Sequence, residues 1–435
     1  MSKKLPYEDG MKFEAAADNY TALIKAFVKW LLIATLVGLI VGLVGVGFHH
    51  ALSFATEFRT ENRVIIFTMP VAGVLIVAIY KLLGMSNDPG TNCIIKGARG
   101  EEKVSLKLAP LIFAATFLTH FSGGSAGREG AALQMGGSLA SPVGKILKLD
   151  KEDTATLIMC GMAAGFSALF GTPIAAAVFA VEVVIVASAQ YAALVPCMIS
   201  GIAASVVARI FGVKPESFIV QGIPALDGNS GLDLVRVAVL GIGCAAVSVL
   251  FCVVIKAAKK TFEKYFKNDY LQILAGSAIV ILLTVLLGTT DYNGAGMDVI
   301  ERAFEGEASP VAFLLKIGFT ALTLGAGFKG GEIVPSFFTG ATFGCVVGDL
   351  LGLDPSFGAA VGLLAVFCGV TNCPFATIIL SIELFGAGGL AYYALAIAIS
   401  YMLSGYWGLY SAQRFGQSKL KPVGYAENVK KEKEK

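Results

Sequence analysis

Apolar residues run through most of the chain, and polar residues gather in short segments between them. Residues 31–50 form the first stretch that is long enough to cross about 30 Å of hydrocarbon as a helix. The stretch 64–83 is predicted to return across the membrane. Further apolar stretches, among them the one at about 233–255, recur to about residue 412. Because only helices and closed barrels span a bilayer, the pattern predicts an all-α polytopic membrane protein.

The polar and basic segments predict how these spans are oriented. Four basic residues fall in 96–107 and five in 256–267, so the excess of positive charge places both segments in the cytoplasm. The N-terminus is polar and has no signal-peptide core before the first span, and the C-terminus ends in a charged tail. We therefore predict that both termini are cytoplasmic.

The orientation of the spans indicates two inverted halves. The span at 31–50 starts from the cytoplasm, whereas the span at 233–255 ends at a cytoplasmic loop. In addition, the segment from Pro173 to Glu182 is similar to the segment from Pro374 to Glu383, with nine residues from proline to glutamate in each and an offset of 201. An inverted repeat is the economical interpretation.

These observations divide the chain into four parts. We predict a cytoplasmic N-terminal segment with an amphipathic interfacial helix at 1–30, a first transmembrane half at 31–228, a second, inverted half at 229–415, and a charged cytoplasmic tail at 416–435.

Composition narrows the classes of function. Hydrophobic residues make up 56% of the chain and charged residues 15%, which excludes a disordered or ordinary cytosolic protein. The net charge of +3 gives no argument for a nucleic-acid partner. Eight cysteines without a CxxC pair and three scattered histidines predict packing thiols, with no metal site and no cofactor.

Glycine clusters interrupt several apolar stretches. The clusters at 123–130, 136–137 and 325–331 leave pieces too short to cross the bilayer as straight helices. Non-helical backbone at membrane depth must be buried in protein or line an aqueous path. Paired breaks in two halves therefore predict a binding site near the middle of the membrane.

The first break, Gly123 to Gly130, places Glu129 at the start of a helix. Free N–H groups and the positive end of the helix dipole bind anions there, so Glu129 can occupy the position as a tethered anion or leave it when protonated. The alternative is a capping acid paired with Arg128. An ionisable group in a membrane break favours the functional interpretation.

Three further segments contribute candidate groups. Glu332 lies in the second break, Gly325 to Pro335, where a plain helix cap is an equal alternative. Residues 88–95 offer helix-start amides with a hydroxyl and an amide side chain, although alone they indicate only a turn. Tyr410 could donate its hydroxyl to an anion, but an interfacial aromatic is the better interpretation of that residue taken alone.

Two motifs suggest other functions. Gly123 to Gly127 fits GxSxG, and with His120 nearby it is compatible with an intramembrane serine hydrolase. We expect His120 to lie on the preceding apolar helix, away from the serine. Gly325 to Gly330 fits GxGxxG, but no βαβ unit surrounds it, so a dinucleotide site is not predicted.

Taken together, these residues resemble the CLC superfamily of anion channels and proton-coupled anion exchangers. The segment 127–130 (GREG) resembles the family's GREGP segment, 330–335 its GxFxP segment, 171–182 (GTPIAAAVFAVE) a further family stretch, and Tyr410 the hydroxyl-bearing tyrosine of its last helix. The resemblance covers nearly all of the chain. It implies a homodimer with a separate pore in each subunit and two inverted halves with broken helices.

The departures from the chloride-selective members resemble a narrower branch. The first anion-binding segment is Gly90-Thr-Asn-Cys-Ile in place of GSGIP, Ala131 replaces a proline, Glu332 replaces a hydrophobic residue, and Val183 replaces the inner proton-relay acid. This pattern is similar to the bacterial branch that expels fluoride. In that branch the equivalent of Glu129 is the gating glutamate, and the equivalent of Glu332 assists the gate or the ion. Val334 departs from the branch, because a threonine is expected at that position.

The resemblance implies a fluoride/proton antiporter, not an enzyme, in a bacterial inner membrane, with lipid as its surroundings. A chloride/proton antiporter and a passive anion channel are the alternatives. Its site residues would be the gating Glu129 and an anion path formed by Gly90, Thr91, Asn92, Cys93, Arg128, Gly130, Glu332, Ile333, Val334 and Tyr410.

Overall fold

The computed structural model describes residues 13–86, 88–188, 190–228 and 230–420, with side chains from Tyr20 onward. Residues 1–12 and most of the predicted charged tail, 421–435, lie outside the described residues.

Helices make up nearly all of the regular structure. The first half contains α1 (Phe13–Glu61), a 3-10 turn (Arg63–Thr68), α2 (Met69–Leu82), α3 (Thr91–Ala98), α4 (Leu108–Phe121), α5 (Glu129–Ile146), α6 (Lys151–Phe170), α7 (Pro173–Glu182) and α8 (Tyr191–Ile210). The second half contains α9 (Gly231–Tyr265), α10 (Asp269–Leu287), α11 (Met297–Phe304), α12 (Ala312–Gly325), α13 (Ile333–Leu350), α14 (Pro355–Thr371), α15 (Pro374–Phe385) and α16 (Leu390–Leu403). Two short strands, β1 (Ile185–Val186) and β2 (Arg414–Phe415), pair in parallel.

Length and composition confirm a membrane protein with many spans. Within the described residues, seven helical stretches are long and apolar enough to cross a bilayer, and six further apolar helices have only 10–17 residues. The short helices include α4, α7, α12 and α15, which flank or follow the predicted breaks. Broken spans are therefore a real feature of the fold.

Helix α1 differs from the prediction. Its 49 residues run from Phe13 to Glu61 without interruption, so the stretch 12–30 does not form a separate interfacial helix. At 1.5 Å per residue the helix is about 70 Å long, more than twice the thickness of the hydrocarbon core. Near its start, Lys29 pairs with Asp153 at the beginning of α6, which ties the extension to the rest of the protein.

The glycine pair 136–137 does not break a helix, contrary to the prediction. Helix α5 continues through both residues, and a Cβ atom added to Gly136 would lie only 1.9 Å from the carbonyl oxygen of Gly161 on α6. The second half repeats this close approach between α13 and α14, where a Cβ atom on Gly344 would lie 2.2 Å from Gly358 O. These glycines permit tight helix packing within the membrane.

The two halves meet along α7 and α15, the helices that carry the similar segments of the sequence. The inverted repeat with broken helices is thus confirmed at the level of the fold. A long loop separates α8 from α9, and its described residues, 211–228 and 230, contain no helix. The predicted boundary between residues 228 and 229 falls in this loop and stays a prediction.

Residues 404–420 follow α16 and form what we call the C-terminal segment. Strand β2 in this segment pairs with β1, which directly follows α7. Arg99 donates to Ala412 O, and Lys419 Nζ donates to Asn372 Oδ1 and Tyr401 O, both at 2.6 Å. The segment is therefore fixed against helices of both halves.

Candidate functional site

The two main breaks are joined by backbone hydrogen bonds. Gly127 N donates to Gly331 O and Gly331 N donates to Gly127 O, each at 2.7 Å, in a single antiparallel bridge. This bridge places the start of α5 beside the start of α13. Lipid offers backbone amide groups no hydrogen-bond partners, so in this structure the two breaks supply hydrogen-bond partners to each other.

A third loop holds the first break on its other edge. Ala126 N donates to Gly294 O at 3.2 Å, and Gly294 N donates to Gly124 O at 3.1 Å. The buried Lys316 supports this loop, because its Nζ atom donates to Gly294 O at 2.8 Å and to Tyr292 O at 3.3 Å. The non-helical backbone before Glu129 is therefore held from two sides.

Glu129 is the first residue of α5 and is completely buried. Its Oε2 atom accepts a hydrogen bond from Arg128 N at 3.0 Å, so the carboxylate folds back over the helix start. A Cβ atom added to Gly127 would lie 2.8 Å from this oxygen and 3.1 Å from Pro335 Cδ, so a larger residue at position 127 would press on the carboxylate. A carboxylate thus occupies the place where a helix start binds an anion.

The Arg128 guanidinium is shared between several partners. Its Nε atom donates to Glu129 Oε1 at 3.3 Å, its Nη2 atom donates to Glu216, and its Nη1 atom lies 3.2 Å from His49 Nδ1. Glu216 belongs to the loop between the two halves. Arg128 therefore does not pair with Glu129 alone, and its charge is divided between two carboxylates.

Glu332 immediately precedes α13 and is half-buried. A Cβ atom added to Gly130 would lie 2.8 Å from Gly331 Cα and 3.7 Å from Glu332 Oε2, so the second acid lies against the start of α5. Ile333 and Val334 form the first turn of α13 and are fully buried. Their backbone amides lie at a helix start, as predicted, whereas their side chains pack in the core.

Helix α3 begins at Thr91, and Gly90 before it has a φ of 66°, which favours glycine. Thr91 Oγ1 accepts a hydrogen bond from Gln134 Nε2 at 3.2 Å. Asn92 Oδ1 accepts one from Ala412 N at 2.8 Å, so this side chain holds the C-terminal segment. The Cys93 side chain packs in the core, and its place in an anion path stays a prediction.

Tyr410 lies in irregular structure after α16, not on a last helix as the resemblance implied. It is buried, and its hydroxyl has no hydrogen-bond partner among the described residues. The backbone on either side is fixed, because Leu409 N donates to Val370 O at 2.9 Å and Ala412 N donates to Asn92. The hydroxyl is therefore a donor held in place without a protein acceptor.

These groups converge on a cavity of about 510 Å³. Glu332, Gln134 and Tyr410 lie on its walls. Four lysines and three carboxylates also belong to the lining, and three of the lysines come from the basic stretch that the sequence places in the cytoplasm. The full charged set is Lys256, Lys259, Lys260, Lys329, Asp88, Glu263 and Glu332.

Glu129 is not among the described residues that line this cavity. It follows the bridge between Gly127 and Gly331 in the chain, and its carboxylate contacts Arg128. The cavity therefore reaches Glu332 and Tyr410, whereas the Glu129 carboxylate is buried outside its lining.

In the described part of the chain, the GxSxG motif does not form a serine hydrolase site, and the GxGxxG motif does not form a dinucleotide site. Ser125 Oγ lies 3.0 Å from Thr320 Oγ1, and His120 Nδ1 lies 3.0 Å from Thr116 O on the same helix, so no serine–histidine pair is formed. The glycines at 325–330 end α12 without a βαβ unit. The eight cysteines are buried and free, and no cluster of metal ligands occurs among the described residues.

Sequence reasoning missed three functional candidates. Gln134 is the one polar wall residue on α5, and its position in a run of small and apolar residues was the available signal. Glu216 and His49 gave no local signal, because they meet Arg128 from sequence distances of 88 and 79 residues.

Comparison with known proteins gives concordant results. A family model described as voltage gated chloride channel matches residues 72–405. A chloride/fluoride channel protein from Pseudomonas syringae pv. tomato is 35% identical over 404 residues, which cover 91% of this chain and 89% of that protein. The H(+)/Cl(-) exchange transporter ClcA of Vibrio cholerae is 28% identical over 388 residues, with 81% of each chain covered.

Among solved structures, a CLC-type fluoride/proton antiporter superposes with a TM-score of 0.85 at 30% identity. The match covers 93% of this chain and 100% of that one.

Proposed function

Since the chain belongs to the voltage gated chloride channel family and is a membrane transport protein of the CLC type, we propose that it exports fluoride in exchange for protons. Glu129 is the gate and carries the proton. The protein acts as a homodimer in a bacterial inner membrane, with both termini in the cytoplasm.

The observation that carries the proposal is the position of Glu129. A fully buried carboxylate lies at the start of α5, where a soluble anion would otherwise bind, and it is held by one backbone amide and one arginine. An anion entering this position must displace it. Protonation removes the charge that competes with the anion, so the two events are coupled.

The cavity supports entry of an anion from the cytoplasmic side. Its lysines attract anions electrostatically, and the Tyr410 hydroxyl is an unpaired donor on its wall. Glu332 lines this cavity, and its carboxylate lies near Gly130, the residue after the proposed gate. A proton on Glu332 would reduce its repulsion of the anion, so we assign Glu332 the role of an intermediate proton site.

Fluoride is the preferred anion because of the kind of groups present. Fluoride is small and strongly hydrated, so a site must replace its water with several donors. The helix starts at Thr91, Glu129 and Ile333, with the Tyr410 hydroxyl, offer such donors. The names of the Pseudomonas relative and of the superposed antiporter support fluoride, and ClcA supports chloride as the second candidate.

The position of Val183 constrains the proton route. Val183 is buried directly after Glu182, so no titratable group lies at the place of the inner relay acid. In the proposed route, protons reach Glu129 through the aqueous cavity and Glu332. A passive channel also lacks this acid, so Val183 alone does not separate the two mechanisms.

The deciding experiment uses purified protein in liposomes loaded with fluoride. We expect fluoride efflux, measured with a fluoride-selective electrode, to drive proton uptake measured with a pH electrode. A change in the proton gradient alone should shift the fluoride reversal potential. Efflux without proton uptake would establish a channel and overturn the proposal.

Two variants test the roles that we assign to Glu129 and Glu332. We expect Glu129→Gln to abolish coupling while leaving the protein folded, and Glu332→Gln to slow both fluxes together. Ser125→Ala is the control, because Ser125 bonds Thr320 and should be nearly silent. Coupled fluoride flux in Glu129→Gln, or faster transport of chloride than of fluoride in the natural protein, would contradict the respective assignment.

A further inference from the structure

Gln134 has an incomplete set of hydrogen bonds for a buried carboxamide. It lies on α5 and only 3% of its surface is exposed. Its Nε2 atom donates to Thr91 Oγ1 at 3.2 Å, while its Oε1 atom is buried and has no partner among the described residues. Both residues line the cavity that leads toward Glu332.

The carboxamide lies directly over the start of α3. A Cβ atom added to Gly90 would come within 3.7 Å of Gln134 Nε2. The N–H groups in the first turn of an α-helix have no carbonyl group four residues before them within the helix, and in α3 Cys93 N donates to Gly90 O at 3.0 Å. Gln134 therefore borders the start of α3.

The donors and acceptors of Gln134 and Thr91 allow two hydrogen-bonded arrangements of these side chains. A hydroxyl has one proton and accepts as well, and half a turn about the last side-chain bond of glutamine exchanges its oxygen and nitrogen. In the arrangement seen, Gln134 donates to Thr91, and its oxygen is buried without a partner among the described residues. In the other, the Thr91 hydroxyl donates to Gln134, and the two N–H donors of the amide take the place of that oxygen.

We propose that Gln134 is a specificity-determining residue whose carboxamide rotates to present N–H to an anion in the cavity, while its oxygen accepts the proton of the Thr91 hydroxyl. The inference rests on the proposed function and adds a residue to the anion site. Without an anion the amide returns to the arrangement seen in the structure. Rotation of the Gln134 amide thus replaces its acceptor oxygen by N–H donors, and neither Gln134 nor Thr91 changes its charge.

This arrangement favours fluoride over chloride. The smaller ion accepts stronger hydrogen bonds and loses more hydration, so the presence of one more N–H donor matters more for fluoride. An oxygen facing the ion would oppose binding. The Thr91 hydroxyl decides which atom faces the cavity, because only a hydroxyl stabilises both arrangements.

The test compares fluoride and chloride in the natural protein and in Gln134→Met, which has similar length and no amide. Binding of each halide is measured by isothermal titration, and transport by ion-selective electrodes on liposomes. We expect fluoride affinity to fall about tenfold or more, as for a lost hydrogen bond to a charged group. Chloride affinity should change much less, so that the fluoride-to-chloride ratio falls.

Thr91 provides a second, independent pair of variants. Thr91→Val keeps the shape and removes the hydroxyl, and it should lower the same ratio, whereas Thr91→Ser should preserve it. The double variant Thr91→Val with Gln134→Met should lose little beyond either single change, since the two side chains act as a unit. These variants also decide the matter if Gln134→Met does not fold.

Gln221→Met is the control. Gln221 is exposed in the loop between the halves and is not among the described residues that line the cavity, so its replacement should leave the fluoride-to-chloride ratio unchanged. An unchanged ratio in Gln134→Met or in Thr91→Val would overturn the inference. If the natural protein moved fluoride without protons, the proposed function would fail instead, and the two failures are therefore distinct.

Discussion

Glu182 and Glu383 cap each other's helices. The carboxylate of Glu182, at the end of α7, accepts from Ala376 N at 2.8 Å and from Phe375 N at 3.2 Å, at the start of α15. The carboxylate of Glu383, on α15, accepts from Ala175 N at 2.8 Å and from Ile174 N at 3.1 Å, at the start of α7. Each half thus stabilises a helix start of the other with a buried or half-buried acid.

Glu182→Gln should destabilise the protein without changing the ratio of fluoride to protons. The amide retains one acceptor oxygen but places an NH₂ group against a backbone N–H, at a cost of about 1–2 kcal/mol. Glu383→Gln should cost less, because Glu383 is half-buried whereas Glu182 is buried. Thermal unfolding in detergent measures both changes, and the exposed Glu307→Gln is the control. Unchanged stability in both variants would contradict the reciprocal cap.

Gly331→Ala should impair transport more than folding. The added Cβ atom would lie 2.5 Å from Gly130 N and 3.1 Å from Gly130 Cα, so the starts of α5 and α13 must move apart. Displacement of a positioned group by a fraction of an ångström commonly lowers rates, and we expect a loss of about tenfold or more in fluoride efflux. The helical circular dichroism signal should remain.

Gly318→Ala is the matched control for that variant. Gly318 lies within α12, and a Cβ atom there would meet no other atom within 4 Å. Alanine is the better helix former, so stability should be equal or slightly higher. Normal efflux in Gly331→Ala would show that close contact between the two breaks is not required.

Glu216→Gln should lower the rate of fluoride efflux by slowing the movement of the Glu129 side chain. Without this second carboxylate, Arg128 interacts more strongly with Glu129, and the gate must break a stronger pair to move. For a partly exposed pair the change is on the order of 1 kcal/mol, which is a few-fold in efflux rate. The proton-to-fluoride ratio should stay constant. The exposed Glu305→Gln is the control, and an unchanged or faster rate in Glu216→Gln would refute the sharing of Arg128.

Replacing Lys259 and Lys260 together by glutamine should reduce fluoride entry in a salt-dependent manner. Both line the cavity, and removal of two positive charges lowers the local concentration of anions. The difference from the natural protein should be several-fold at low ionic strength and disappear as salt screens the lysines. Lys103 and Lys107, which are exposed elsewhere, are the control pair. A difference independent of salt would point to a direct binding role.

Local sequence signals predicted the features that depend on neighbours in the chain. The GREG segment placed Glu129 at a helix start because glycine interrupts the preceding helix and the apolar run begins after it. The spacing of nine residues from proline to glutamate correctly identified α7 and α15 as related helices. Proline fits the first turn of a helix, and this constraint is local.

Tertiary contacts account for the errors. Gly136 and Gly137 resemble the glycines of a break, but Gly136 permits close packing against α6 and Gly137 against Ile94 of α3, which no local pattern reveals. Tyr410 lies outside a helix, where Leu409 N donates to Val370 O, a residue 39 positions earlier in the chain. The Arg128 network and the cap of Ala412 by Asn92 likewise join residues far apart in sequence.

The anchoring of Lys419 has a consequence for control from outside the membrane domain. Lys419 lies nine residues after Tyr410 and is tied to Asn372 and Tyr401, while Asn92 and Arg99 hold the intervening Ala412. A force applied at Leu420 would therefore be taken up by these anchors before it reached the Tyr410 hydroxyl, which keeps that donor in register with the cavity.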